Sequence, residues 1–281
     1  MPGSLLGRHH TLRVSSRHSA GLLLDAGELG EILLPRRYVP DGLEPDGEVE
    51  VFISLDSEDR PVATTECPLV MAGEFALLRV AAVTRVGVFL DWGMPKDLLL
   101  PFAEQIRRLK VGDDELVHVD VDRVSGRLVA SAKLNKFVDE RAPSHLHGGN
   151  SVSLLITEKT DLGIKAIVDD CCWGLLHCSD GGHVPARGVR CSGYISRVRE
   201  DGLVDLSLDP PGYAKVPAAA EQLAAVLSAA EGGFLPVHDK SPPEQVREVL
   251  GISKKVFKQA AGALYKAGSI RIGEDGIYWL E

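Results

Sequence analysis

The chain has 281 residues, 44% of them apolar and 25% charged, which is enough to build packed cores and too many for one ordinary small domain. Its formal charge of −9 argues against a polybasic coat for nucleic acid or anionic membrane, so any polyanion must meet a local patch. No apolar run approaches a membrane span, the opening MPGSLLGRHH lacks a secretory core, and five cysteines, an odd number, fit reduced thiols, which together point to the cytoplasm.

From the N-terminus the chain repeats itself. Gly21-Leu22-Leu23-Leu24-Asp25, Gly87-Val88-Phe89-Leu90-Asp91 and Gly163-Ile164-Lys165-Ala166 each open a unit, and Gly47, Gly112 and Gly188 follow them at nearly the same offset. Within each unit, Val, Leu and Ile alternate with polar residues in short runs broken by Gly, Asp and Pro, the signature of antiparallel strands joined by turns. Gly126 and Gly202 share an offset and mark the last hairpin of their units. Five such strands in about 60 to 70 residues suit a small closed barrel of the OB type, with alternate side chains filling the interior. Val88 and Leu90 are expected inside; Gly87, Phe89 and Asp91 are expected outside. The barrels are placed at 1–68, 69–142 and 143–212, and a fourth domain at 213–281.

These residues resemble the RNA-binding OB repeat of the small-subunit ribosomal protein called S-one. The second unit matches that pattern at Gly87-Val88-Phe89, Val111-Gly112-Asp113 and Arg127-Leu128-Val129-Ala130-Ser131. The third matches at Gly174-Leu175-Leu176-His177-Cys178-Ser179 and Asp205-Leu206-Ser207-Leu208. The resemblance implies a nucleic-acid face built from the Phe of the second strand, the His after the third and the Arg of the last. It implies Phe89 and Arg127 in the second barrel. In the third it implies His177, with Lys165 where Phe would stand and Leu203 where Arg would. The first keeps Arg60, with Leu23 for Phe. Aromatic and imidazole faces stack on bases without reading their sequence.

The cysteine-rich stretch CCWGLLHCSD, residues 171–180, falls on the third strand of the third unit. Cys171 and Cys172 are adjacent, face opposite sides of a strand and cannot converge on one ion without a bulge. Thiols acting as small apolar side chains are the expectation, and no metal is expected. Cys172, Cys178, His183 and Cys191 are the one set that folding could still gather.

Past Pro210-Pro211-Gly212 the period changes to 3.6. A helix is expected over 217–230. Ser241-Pro242-Pro243-Glu244 has capping-box spacing and leads into Val246, Val249 and Leu250 on one face. Gly251 should end that helix and Ser253 cap a third, whose stripe is Val256, Phe257, Ala260, Ala261 and Leu264, before Gly268 stops it. A hairpin with an acidic turn, Glu274-Asp275, closes the chain. Three helices and a hairpin make a winged helix, whose third helix is the usual groove reader. Lys254, Lys255 and Lys258 on that helix, with Lys266 and Arg271, form a one-signed patch suited to phosphate. Among the outward residues only Gln259 suits a base edge, so sequence-specific DNA reading is not favoured.

Three tandem OB barrels and a small α+β winged helix make a mainly β, multi-domain chain. This order is similar to that of the bacterial conserved virulence factor B family, also called YitL-like proteins. The resemblance implies a cytoplasmic protein that binds single-stranded RNA and influences the expression of other genes. No phosphate loop, His-Glu-x-x-His or Gly-x-Ser-x-Gly motif is present in the sequence, so no catalysis and no cofactor are expected. The rival readings are an acidic adaptor for a protein or the ribosome, and a DNA-binding regulator.

Overall fold

The computed structural model describes residues 5–122, 124–177, 185–208, 215–273 and 275–280. The first barrel comprises β1 (His9–His18), β2 (Gly21–Asp25), β3 (Glu31–Pro35), β4 (Glu48–Leu55) and β5 (Pro61–Thr64). The second comprises β6 (Phe75–Val83), β7 (Gly87–Asp91), β8 (Leu98–Pro101), β9 (Asp114–Val121) and β10 (Leu128–Ser131). The third comprises β11 (Ser151–Thr160), β12 (Gly163–Val168), β13 (Cys172–Leu176), β14 (Arg190–Val198) and β15 (Val204–Ser207). All three are closed, with the strand order first, second, third, fifth, fourth. In the first two barrels the third and fifth strands run parallel through a single residue pair, Leu33 with Val62 and Leu99 with Val129. The register of the long first strand slips at matching places, between Val14 and Ser16, Val80 and Ala82, and Ile156 and Glu158. Such bulges bend a strand sharply enough to close a barrel this small.

The alternation places the core as expected. Val88 and Leu90 are buried with Val80, Leu98, Leu100 and Val119, while Phe89 points outward and is half-buried. The glycines that open the second strands of the first two barrels have a steric cause. A Cβ on Gly21 would lie 1.9 Å from the Leu34 carbonyl oxygen, and one on Gly87 2.5 Å from that of Leu100. Backbone cannot swing aside as a flexible side chain can. Gly87→Ala is therefore expected to cost about 1–3 kcal/mol in a urea melt, the usual penalty of forced overpacking.

Phe52 is fully buried on β4 of the first barrel, yet it packs in the core of the second, edge-on to Trp92 with ring centroids 5.8 Å apart. One aromatic ring thus joins two barrels. The chain divides into two compact units. The first takes barrels one and two with part of the third; the second takes Pro143–Ser153, Leu175–His177 and Ser192–Glu281.

The C-terminal domain runs α1 (Lys215–Ala229), β16 (Phe234–Leu235), α2 (Pro243–Leu250), α3 (Lys254–Lys266), β17 (Ile270–Ile272) and β18 (Ile277–Trp279), with sheet order β16, β18, β17. Leu223, Leu227, Val246, Phe257, Ala260, Ile270 and Ile277 form its core. Gly251 caps α2 in the left-handed conformation (φ 69°), and Ser253 caps α3 by accepting from the Val256 N–H at 3.4 Å. Three details differ from expectation. Strand β16 has two residues, too few for periodicity to reveal. Pro242, not Ser241, is the N-cap of α2, because the Ser241 hydroxyl is buried and accepts from the His238 N–H at 3.1 Å. Val249 is exposed, since so short a helix buries only its Val246–Leu250 edge.

Candidate nucleic-acid interface

In the first unit, the outer faces of barrels one and two enclose a groove of about 1140 Å³. Phe89 and Arg127 both line it, as do Leu33, Leu99, Tyr38 and Phe137. Arg127 is already engaged: its Nε and Nη2 donate to the two carboxylate oxygens of Asp59 at 2.7 and 2.6 Å. Asp59 sits at the tip of the β4–β5 turn with φ 61°, so a turn of the first barrel clasps the last strand of the second. Arg60 is likewise paired, with Asp56 at 2.8 Å and Glu58 at 2.9 Å. Asp56, Glu66, Asp97, Glu104, Asp120 and Asp122 line the groove against Arg37, Lys96, Arg127 and Lys136, and Lys136 is tied to Glu104 at 2.7 Å. The stacking surface is present, but carboxylates outnumber cations around it.

His118, also on the groove wall, is buried between Phe137, stacked at 3.9 Å, and Phe75 at 4.7 Å. Burial pushes its pKa below the usual histidine value, so the fold favours the neutral ring. The sign follows: below about pH 6.5 the unfolded chain takes up a proton that the folded chain resists, so stability present at neutral pH is lost on acidification. His118→Phe, which keeps the stack, is expected to flatten the fall in melting temperature between about pH 7 and pH 5.

The third barrel carries a different charge pattern. On β12, Lys165 stands where Phe89 stands on β7, and its Nζ lies 3.8 Å from the Trp173 ring centroid, a cation–π contact. After β13, His177 Nε2 meets Asp205 Oδ1 at 2.8 Å. Asp205 is buried on β15 and also accepts from Arg197 Nη2 at 3.0 Å and Arg199 Nη2 at 2.5 Å. Hydrogen bonding from Arg199, His177 and Arg197 outweighs burial and holds its carboxyl well below the usual carboxylate range. The side chains gathered by this one carboxylate remain open to solvent, Arg197 at 69% and His177 at 52% exposure. The two guanidinium groups exceed the Asp205 carboxylate by one positive charge, and the charge of Asp201 also acts on Arg199. Arg197 and Arg199 escaped the motif, which put Leu203 at the arginine position; the Arg-Val-Arg run at the end of β14 and just past it is the signal that points both at one face.

In the second unit, α3 presents Lys255 and Lys258 exposed and Lys254 half-buried in its first turns. Among the described residues no carboxylate pairs with these three or with Lys266. Arg271 on β17 lies over the Tyr278 ring at 4.3 Å, and Asp275 accepts from the Tyr278 hydroxyl at 2.5 Å; Glu274 lies outside the described residues.

The cysteines stand apart from these faces. Cys172 is buried on β13 and its thiol is pushed up to about 12, first by burial; Cys171 Sγ lies 3.2 Å from the Val168 carbonyl oxygen. Among the described residues no three His, Cys, Asp or Glu side chains gather as metal ligands; Cys178 and His183 lie outside those residues. No helix among them is long and apolar enough to cross a membrane.

Tandem OB barrels that end in a small winged helix define a class of multi-domain proteins assembled from nucleic-acid-binding folds. Residues 6–66 match the S1 domain family, and residues 221–279 match the CvfB-like winged helix domain family. YitL of Bacillus subtilis is 32% identical over 277 residues, covering 94% of this chain and 90% of that protein. Conserved virulence factor B of Staphylococcus epidermidis and of Staphylococcus aureus are each 27% identical, covering 83% of this chain and 80% and 79% of theirs. A solved multidomain protein with nucleic acid binding domains from Streptococcus pneumoniae aligns over 98% of this chain and 99% of its own at 21% identity, with a TM-score of 0.40. The chain belongs to the conserved virulence factor B family.

Proposed function

We propose that this chain binds single-stranded RNA with low sequence specificity and acts in post-transcriptional control of gene expression in the bacterial cytoplasm, without catalysis, metal or cofactor. The observation that carries this reading is the cluster of His177, Arg197 and Arg199 around Asp205, which holds two guanidinium groups in place on a third-barrel face of a chain of net charge −9. The buried carboxylate fixes the two guanidinium groups, so a phosphate meets cations whose ordering cost is already met. The lysines of α3, which pair with no carboxylate among the described residues, offer a second phosphate contact, and linked weak contacts act at high effective concentration. Staphylococcal relatives bear the name virulence factor, which fits a role upstream of other genes.

A filter-binding titration with homopolymer RNAs tests this. Single strands are expected to bind better than duplex. With about four phosphate contacts, a rise from about 50 to 200 mM salt should weaken binding roughly 50-fold, at about 0.7 per contact in the log–log slope. A preference for duplex DNA with a defined site would instead support the regulator reading.

A further inference from the structure

We propose that the groove between barrels one and two receives an extended polypeptide segment of a partner protein, basic and apolar in character, and not RNA. The proposal is independent of the RNA reading, which rests on the third barrel and α3. At about 1140 Å³ the groove exceeds the usual small-ligand pocket. It follows the seams where third and fifth strands touch at one pair, Leu33 with Val62 and Leu99 with Val129, and all four residues line it. An extended chain laid there could seat alternate side chains against Phe89 and Tyr38.

Charge selects the occupant. Two of the four lining cations are satisfied within the protein, Arg127 by Asp59 and Lys136 by Glu104, and Arg37 lies over the Tyr38 ring at 4.5 Å. Glu104 and Asp56 are paired in turn, by Lys136 and Arg60, which leaves Glu66, Asp97, Asp120 and Asp122 against Arg37 and Lys96, an acidic excess that repels a phosphate backbone and attracts lysine or arginine. Asp97 pairs with no cation among the described residues: burial first, then the charge of Asp91, pushes its carboxyl above the usual range. Hydrogen bonding points the same way. His118, 7% exposed, has a buried Nδ1 with no partner among the described residues, and Glu66 has a buried Oε2 in the same state. The carboxylate oxygen can only accept, and a peptide supplies N–H and ammonium donors where a phosphodiester supplies none. The walls are prebuilt, held by the Asp59–Arg127 pair and by Phe52 against Trp92, so little ordering opposes binding.

The test uses the full chain and three fluorescein-labelled probes in anisotropy titrations: a decapeptide of alternating Leu and Lys, its Leu and Glu counterpart, and an oligouridine of ten nucleotides. The Leu–Lys peptide is expected to bind and the Leu–Glu peptide not. Phe89→Ala and Asp97→Asn should each weaken the Leu–Lys peptide about tenfold, as truncation of an interface anchor does, while leaving oligouridine unchanged. A Leu–Lys peptide carrying a photo-reactive benzoylphenylalanine locates the site without any substitution in the protein, and its cross-links should fall within 33–38, 86–101 or 118–137. Peptide binding indifferent to both substitutions, cross-links elsewhere, or oligouridine affinity that falls with Phe89→Ala would overturn the proposal. Oligouridine failing to bind while the peptide behaves as expected would defeat the RNA reading alone.

Discussion

Removing four positive charges, by Arg197→Gln, Arg199→Gln, Lys254→Ala and Lys255→Ala together, is expected to lower affinity for single-stranded RNA by about 10²–10³-fold near 0.1 M salt. Each phosphate contact on a single strand releases counterions that contribute about 0.7 to the slope of log K against log salt, so four lost contacts flatten that slope by about 2.8. Glutamine is chosen at 197 and 199 because Asp205 is buried, and stranding a buried carboxylate without donors costs several kcal/mol in its own right. Glutamine keeps an N–H donor for Asp205 and removes only the charge. Lys254 and Lys255 pair with no described carboxylate, so their truncation leaves the fold of the C-terminal domain unchanged. Anisotropy titration with oligouridine at several salt concentrations checks the outcome. An unchanged slope would show that phosphates are held elsewhere.

Phe52→Ala is expected to destabilise the first unit by about 3–5 kcal/mol, the cost of truncating a fully buried aromatic. The particular expectation is its reach. Because the ring leaves β4 of the first barrel and fills the core around Trp92, Leu98 and Val117 of the second, the cavity opens in the second barrel while the strand that loses its anchor belongs to the first. Hydrogen exchange should therefore accelerate on β1 and β4 and on β7 and β9 together, with little change in α1 or α3. A cost under about 1 kcal/mol, or faster exchange in one barrel alone, would contradict this joint.

The barrels were legible because their cause is local. Period-two burial shows in Val88 and Leu90, and the opening glycines Gly21 and Gly87 each meet a backbone carbonyl on the neighbouring strand of their own unit. The third helix of the C-terminal domain was legible for the same reason, with its cap Ser253 and its stripe from Val256 to Ala261 close together in sequence. Partners distant in sequence were not legible. Arg127 matches the arginine position of the repeat, yet Asp59, which engages it, lies 68 residues away in another barrel. Arg197, on the strand beside the one the motif describes, and Arg199, just past its end, follow a register slip between Ile195 and Arg197 that moves them from any position that spacing alone assigns. Tyr38 and Phe137 reach the groove from short helical turns outside the strand pattern. Ser241 was read as a cap because spacing cannot show that His238 already claims its hydroxyl.

Cross-linking with a 4-thiouridine oligonucleotide, followed by peptide mapping on the full chain, locates the RNA on the protein. Cross-links are expected within 190–208, around Arg197, Arg199 and Asp205, and within 253–271 on α3 and β17. Cross-links confined to the groove residues around Phe89 and Arg127, with none in those two segments, would contradict the assignment of RNA to the third barrel and the winged helix.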